Sequence, residues 1–422
     1  MFTPVGRLAS GRAVPVRVPT MAGALSVALA ALAALAGGCH RAPTYYEDVR
    51  PIFERSCVHC HRRDGVAPVP ELVSFEQVAV AAVEIRHAVQ MHEMPPWGAD
   101  NSGYCGTWHD ALWLRDEELR TLTKWTEDPR PGDPDRARTA PPRASPSFRA
   151  SGVVLDTGGD FRPGLGPSAY RCFVVGPAVA RDRIATAFRI VSSEPRSVEQ
   201  LTLYALDSPE GDNAATLLDA EDAKLGYTCY GSSRIAGARL LTSWTWDSEV
   251  SRLPAGFGVR VPGARKLVVQ IHYNPIATGL DVPTHTKVEL ELDDGARPAN
   301  FFAVAPDAIS LAPRQTHAEV RAVVRVPRAI RILGVAPRMH SHGKTMQLER
   351  FEAGSWRCMS SFDHWNFHRQ RFFQLESPVD LDAGARLRLS CAYDTESRGE
   401  PTHMGESIQD EECLAELLTA ER

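Results

Sequence analysis

The chain predicts a multidomain protein: one small all-α domain followed by two all-β sandwiches. Three observations predict it. Residues 44–128 carry apolar side chains at helical spacing, residues 129–150 are broken by prolines, and everything after 150 reads as short strands between Gly and Pro turns. With 422 residues, 43% hydrophobic and 23% charged, the chain is long enough for two or three ordinary globular domains. A net charge of -5 and the lack of any basic block argue against a nucleic-acid partner.

The first segment, 1–38, reads as an export signal. Arg7, Arg12 and Arg17 precede an apolar run from Met21 to Ala36, slightly short for a membrane span. Leu35-Ala36-Gly37-Gly38-Cys39 resembles a bacterial lipobox, which makes Cys39 the lipidated first residue of the mature protein. Simple secretion with cleavage nearby is the alternative. The expected location is the periplasmic face of the outer membrane or the cell surface, with the lipid as the only membrane contact.

In 44–128, Val49, Ile52 and Phe53 form the first apolar stripe. Ser74 and Gln77 read as a capping box opening a helix with Val78, Ala82, Ile85 and Val89 on its buried face. Leu119, Leu122 and Trp125 mark a third helix, entered through Asp116, Glu117 and Glu118. Between the first two helices lies Cys57-Val-His-Cys60-His61, a complete C-x-x-C-H. Two thiols one turn apart can add to the two vinyl groups of a haem, and the adjoining imidazole then faces the iron. A redox dithiol or half a zinc site also uses C-x-x-C, but neither needs the trailing histidine. Met94, in Glu93-Met94-Pro95-Pro96-Trp97, is the expected sixth iron ligand, with His87 and His92 as alternatives and core filling as the bland reading. The segment resembles the cytochrome c modules fused to bacterial secreted oxidoreductases, on Asp48 to Phe53, the C-x-x-C-H, the Met-Pro-Pro-Trp and the closing Trp125 helix. The implied cofactor is one covalent haem c, the implied partner a periplasmic electron donor or acceptor.

Residues 129–150, with Pro129, Pro131, Pro134, Pro141, Pro142 and Pro146, read as a stiff exposed linker. Beyond it, Lys266 to Tyr273 and Val320 to Val326 alternate as strands, and Thr345 to Ser360 reads as a hairpin turning at Ala353-Gly354. About 270 residues is long for one sandwich, which predicts two. Of nine cysteines, setting aside Cys39, Cys57 and Cys60 leaves Cys105, Cys172, Cys229, Cys358, Cys391 and Cys413. An even remainder in an exported chain predicts up to three disulfides, with connectivity open.

His340-Ser341-His342 places two imidazoles at i and i+2, on one face if the segment is a strand, where they can grip one ion. His272 lies on the opposite face from Leu267, Val269 and Ile271. Imidazoles with few thiolates suit copper or zinc. A solvated strand face is the bland reading of the H-x-H.

From about Tyr170 to Cys413 the chain resembles the type II copper, ascorbate-dependent monooxygenases, the family of the peptidylglycine α-hydroxylating and dopamine β-hydroxylating enzymes. Tyr170-Arg171-Cys172, Leu267 to Tyr273, Arg338 to Lys344, Ser377 to Leu381, Cys391, Thr402 to Gly405 and Asp410 to Cys413 carry it, in consistent order. The resemblance implies two jelly-roll-like sandwiches, 151–297 and 298–422, facing each other across an open cleft, and a Cys391–Cys413 disulfide. It implies catalytic-metal ligands at His340, His342 and Glu412, an electron-transfer ligand at His272, and a substrate-carboxylate contact at Arg338, for which a solvated charge is the alternative. The chain departs from the family in two places. The adjacent His-His pair of the electron-transfer copper reads Glu199-Gln200, and the thioether ligand of the catalytic copper reads Glu412, a hard donor that favours a divalent ion. His317, His364, His368 and His403 lie in the same region, and any one could complete a site. The expected function is a haem- and copper-dependent oxidoreductase, monooxygenase-like, that hydroxylates a C–H bond with dioxygen at one copper site and takes its electrons through the haem. Its substrate, a small molecule or peptide, is not read from the sequence. The alternatives are a non-enzymatic electron-transfer or metal-binding lipoprotein that kept the fold, and a copper carrier.

Overall fold

The computed structural model describes residues 41–140, 147–164, 169–246, 248–273 and 281–422. The export signal 1–38 and the lipidation at Cys39 fall outside the described residues. Pro43–Arg422 holds together as one unit.

The helical region begins with a π-helical turn, Tyr45–Val49, that runs into α1 (Arg50–Ser56). The stripe expected from spacing is the one that packs: Val49, Ile52 and Phe53 are buried. α2 (Phe75–Val80) starts at the expected capping box, with Ser74 Oγ accepting from the Gln77 amide and Gln77 Oε1 accepting from the Ser74 amide. α3 (Ala82–Gln90) buries Ala82, Ile85 and Val89, and α4 (Asp116–Trp125) buries Leu122 and Trp125. These faces meet in one small core with Tyr45 and Leu72. Arg55 locks α1 to α4 through a two-pronged pair with Glu118, at 2.6 and 2.9 Å. The proline-rich stretch is a strap rather than a free linker over its first part. Arg130 and Pro131 carbonyls accept from the Tyr45 and Tyr46 amides, and the Arg138 amide donates back to Tyr46.

In chain order, the first half of the β region contains β1 (Val154–Asp156), β2 (Ala169–Val175), β3 (Arg183–Ser192), β4 (Val198–Ala205), β5 (Tyr227–Thr228), β6 (Arg239–Thr245), β7 (Val250–Arg252), β8 (Phe257–Val261), β9 (Leu267–Tyr273) and β10 (Thr286–Leu292). The second half contains β11 (Arg297–Val304), β12 (Ser310–Leu311), β13 (Ala318–Arg325), β14 (Ile330–Arg338), β15 (Gly343–Glu352), β16 (Ser355–Phe362), β17 (Phe373–Leu381), β18 (Arg386–Tyr393), β19 (Thr402–His403) and β20 (Leu414–Glu421). One helix, α5 (Pro209–Glu221), interrupts the strands, capped by the Ser208 hydroxyl. Each half has a sheet of its own: β5-β2-β9-β4-β6 in the first and β13-β18-β15-β16 in the second. The opposing layer is shared. A nine-stranded sheet runs β1-β10-β3-β8-β11-β20-β14-β17, with β7 beside β3, and crosses between halves through the parallel pair β8–β11. The expected hairpin is β15–β16, turning at Ala353 (φ 48°) and Gly354 (φ 81°), both in the left-handed region that a two-residue hairpin turn uses.

Residues 97–112, placed by the sequence reading inside the helical domain, pack elsewhere. Trp97, Ala99, Trp108 and Leu112 lie in the core of the second half. The Asp100 amide donates to Ser361, the His109 amide to Gln374, and Cys105 is bonded to Cys358. The other two disulfides are Cys172–Cys229 and Cys391–Cys413. Three disulfides suggest an extracellular or secreted protein. Among the described residues no helix is long and apolar enough to cross a membrane.

Candidate metal and cofactor sites

The C-x-x-C-H follows directly on α1. Cys57 and Cys60 stand outside the three disulfides. Burial pushes the Cys57 thiol up to about 12, helped by Cys60 beside it. A redox dithiol needs the opposite shift, because the thiolate is the nucleophile. Among the described residues a zinc site lacks further thiols, since Cys105, Cys172, Cys229, Cys358, Cys391 and Cys413 are all bonded in pairs. His61 Nδ1 lies 3.0 Å from the Pro70 carbonyl. A carbonyl only accepts, so Nδ1 carries the proton and Nε2 is the nitrogen left for a metal. Burial lowers the His61 pKa, which favours the neutral ring. The donor set therefore fits a covalent haem. Met94 lines a small apolar crevice with Val89, Leu112, Leu114 and Leu119. His92 is engaged with His364, their rings parallel at 4.2 Å.

In the β region, His340-Ser341-His342 is not a strand. β14 ends at Arg338 in the shared sheet and β15 begins at Gly343 in the other layer, so the motif is the turn that crosses between layers. That corrects the premise that both rings share one face. The turn is held by a residue the motif did not reveal. Glu411, fully buried, accepts from the His340 amide at 2.9 Å and the His342 amide at 2.7 Å. His340 is buried, whereas His342 is half-buried and lies toward Asp394, Lys344 and Arg398.

His340 is held as His61 is. Its Nδ1 lies 2.9 Å from the Asp410 carbonyl, which assigns the proton there, and its Nε2 is buried with no hydrogen-bond partner, 3.8 Å from Glu412 Oε2. Gly231 closes over it; a Cβ there would stand 3.3 Å from Nε2. Burial keeps the His340 ring below its ordinary pKa. His340 and Glu412 thus fit as two ligands of one ion; among the described residues the donor atoms of His340, His342 and Glu412 do not all lie within 4.8 Å of one another.

Arg338 is not a solvated charge. Its side chain is 11% exposed. Nη1 donates to Tyr204 Oη at 2.8 Å, Nε to Glu412 at 3.3 Å, and Glu416 Oε2 lies 4.0 Å away. Burial pushes the Glu416 carboxyl up to about 7 against the pull of Arg338. The guanidinium is taken up by carboxylates of its own chain.

His272 sits in the middle of the first half's own sheet, opposite Tyr170 on β2 and Gln200 on β4. Cross-strand register explains why the Tyr170 ring stacks on it at 4.1 Å, 9° from parallel. Between Val198 and Gln200 the register slips by one, so Glu199 is the bulge residue, and its side chain is re-aimed toward His272. His272 Nδ1 lies 3.5 Å from Glu199 Oε2, and His368 Nδ1 lies 2.8 Å from the same oxygen. Among the described residues, Glu199, His272 and His368 are the one group of three or more His, Cys, Asp or Glu whose donor atoms all lie within 4.8 Å.

Around His340 and His272 the two halves touch through aromatic rings. Tyr230 packs 5.0 Å from His340, and Phe367 lies 5.6 Å from His272 and 6.2 Å from His340. The space left beside His340, lined also by Tyr170, Gln200, Arg338 and Glu412, is a cavity of about 10 Å³. That holds one water at most. His317, His87 and His403 are exposed.

Residues 305–418 match the model of the copper type II ascorbate-dependent monooxygenase C-terminal domain. The chain is 28% identical over 191 residues to peptidylglycine alpha-amidating monooxygenase of Rattus norvegicus, covering 42% of this chain and 18% of that protein. It is 27% identical over 187 residues to the Mus musculus protein, with the same coverage, and 23% identical over 198 residues to the A form of Xenopus laevis, covering 44% and 20%. The chain thus spans about a fifth of the length of these curated relatives. Among solved structures, the infectious bursal disease virus VP2 subviral particle is similar at a TM-score of 0.18 and 9% identity, over 63% of this chain and 70% of that one, a level that carries no argument. The chain is thus similar to the copper type II ascorbate-dependent monooxygenases, through residues 305–418 above all.

Proposed function

We propose that this chain is an exported oxidoreductase of the monooxygenase type, dependent on haem c and copper, that hydroxylates a C–H bond with dioxygen and takes its electrons through the haem. Its partner is a periplasmic electron donor or acceptor, and export ends in a lipid anchor at Cys39. The observation that carries the reading is a shared preparation of two imidazoles. His61 and His340 each have Nδ1 tied to a backbone carbonyl and Nε2 left for a metal. Bound at Cys57, Cys60 and His61, a haem supplies one-electron storage; bound at His340 and Glu412, copper supplies the chemistry of dioxygen. The chain's own part is positioning. Pro70 and Asp410 orient the two rings, Glu411 pins the turn carrying His340, and Arg338 holds Glu412 in place. Met94 is the proposed sixth iron ligand.

The test is elemental analysis of protein matured in a periplasm that attaches haem. One iron per chain is expected, with one copper equivalent fewer in His340→Ala than in the wild type and an unchanged haem spectrum. Equal copper in both would remove His340 as a ligand. A second reading, a non-enzymatic electron-transfer or metal-binding lipoprotein, is favoured by the cavity of about 10 Å³ beside His340, which leaves no room for a substrate. It predicts that reduced haem in copper-loaded protein does not reoxidise faster with dioxygen and candidate substrates than in His340→Ala.

A further inference from the structure

We propose that, at the place where the resemblance puts the electron-transfer copper, Glu199 and His272 recruit His368 from the other half of the β region and clasp the two halves around one divalent ion of the zinc or copper(II) class. It stands whether or not His340 holds a catalytic metal.

The ligands come from three distant elements. Glu199 is the bulge of β4, His272 lies opposite on β9, and both belong to the first half. His368 belongs to the second half, on the short 3-10 turn Phe367–Arg369 between β16 and β17, which Asn366 fixes by accepting from the His368 amide at 2.9 Å. Glu199 and His368 are 169 positions apart and meet at 2.8 Å. Donors around a four-coordinate zinc stand roughly 3.3 Å apart, at metal–nitrogen distances of about 2.0 Å. The separations from Glu199 Oε2, 3.5 Å to His272 Nδ1 and 2.8 Å to His368 Nδ1, bracket that spacing, and all three donors lie within 4.8 Å of one another.

The donor chemistry selects the ion. Two imidazoles and a carboxylate suit zinc and copper(II), and the hard oxygen disfavours copper(I). Zinc held this way has no redox chemistry, and the carboxylate also opposes reduction of copper(II), so the donor set suits a fastener better than an electron carrier. The surroundings agree. His272 is 1% exposed, and Tyr170 and Phe367 pack against its ring. A carboxylate buried between two imidazoles in such a place is matched in charge by a divalent cation. The His368 side chain is 41% exposed, which leaves a way in for the ion and room for a water ligand.

The competing arrangement is a metal-free hydrogen bond from His368 to Glu199. Haem-loaded full-length protein carrying His340→Ala separates the two, because it removes the other candidate ligand. After chelation, addition of zinc and dialysis, this protein is expected to keep one zinc per chain and to gain about 3 °C in Tm. Adding His368→Gln, or Glu199→Gln, abolishes both effects. Copper(II) loaded into the His340→Ala protein should show two coupled nitrogens by electron paramagnetic resonance, falling to one with His368→Gln. The zinc titration needs no change at the site itself, so a folding defect in the variants does not blunt it. No retained zinc and no Tm shift in the His340→Ala protein overturns the proposal in favour of the hydrogen bond. Retention unaffected by His368→Gln overturns it as well. Loss of copper on His340→Ala bears only on the catalytic reading.

Discussion

The helical region and the β region place their metal-type residues in opposite ways. In the helical region Cys57, Cys60 and His61 are neighbours, and the Pro70 carbonyl that orients His61 is nine positions away. In the β region, Glu199 and His368 are 169 positions apart, and the carbonyl and carboxylate that hold the His340 turn come from Asp410 and Glu411, some 70 positions later. A site assembled within one turn of chain needs only its own small core. A site assembled across strands exists only when the halves are docked, and it shares the cooperativity of the whole β region.

The largest effect that bears on this contrast is the Cys57→Ser, Cys60→Ser double change. Iron should fall from one per chain to none, while zinc retention at Glu199, His272 and His368 stays as in the parent; elemental analysis reads both. Loss of zinc as well would show that the two regions are not independent. Next is Cys105→Ser with Cys358→Ser, which removes the cross-link between the 97–112 arm and the second half. The bond spans 253 positions, and its loss is expected to cost about 4 kcal/mol, seen as a drop of about 5 °C by calorimetry. Haem attachment should survive, since the helical core does not include the arm. Glu411→Ala is expected to cost about 2 kcal/mol by urea unfolding, because the buried His340 amide and the half-buried His342 amide both lose their acceptor. It should weaken metal retention at His340 and leave the Glu199 site unchanged.

The smallest effect is pH dependence in the helical region. Burial opposes ionisation of Glu118, but hydrogen bonds from Arg55, Arg115 and the Arg115 amide outweigh it and hold the carboxyl at about 2. A carboxyl whose pKa is depressed on folding contributes stability that is present above its unfolded pKa, near 4.5, and is lost as pH falls toward 2. Glu118→Gln should therefore remove about 1 kcal/mol of acid sensitivity in that window, read by amide exchange in α1 and α4. If the same change altered exchange around His272, the separation of the two regions would fail.

Legibility from sequence follows the same contrast. Val49, Ile52, Phe53 and the Ser74–Gln77 box were readable because helix periodicity and capping act within a few residues. The β15–β16 hairpin was readable for the same reason. The 97–112 arm was not, because Trp97, Trp108 and Leu112 follow no period and find their partners only in the second half. The parallel β8–β11 pairing that merges the two sandwiches into one shared layer leaves no local mark. His340-Ser341-His342 misled by its spacing: i and i+2 share a face only in an extended segment, and here the chain is changing sheets.

By itself, the sequence determined the division into a helical and a β region, the C-x-x-C-H, and a set of six cysteines able to form three disulfides. These depend on neighbours along the chain, where composition and spacing already specify the interaction. Only the tertiary structure decided that His368 meets Glu199, that Glu411 holds the His340 turn, that Arg338 is neutralised internally, and that Phe367 packs against His272. Each of these is a contact between strands or loops from distant parts of the chain. Its geometry is set by bulge, register and sheet order, which no local pattern encodes.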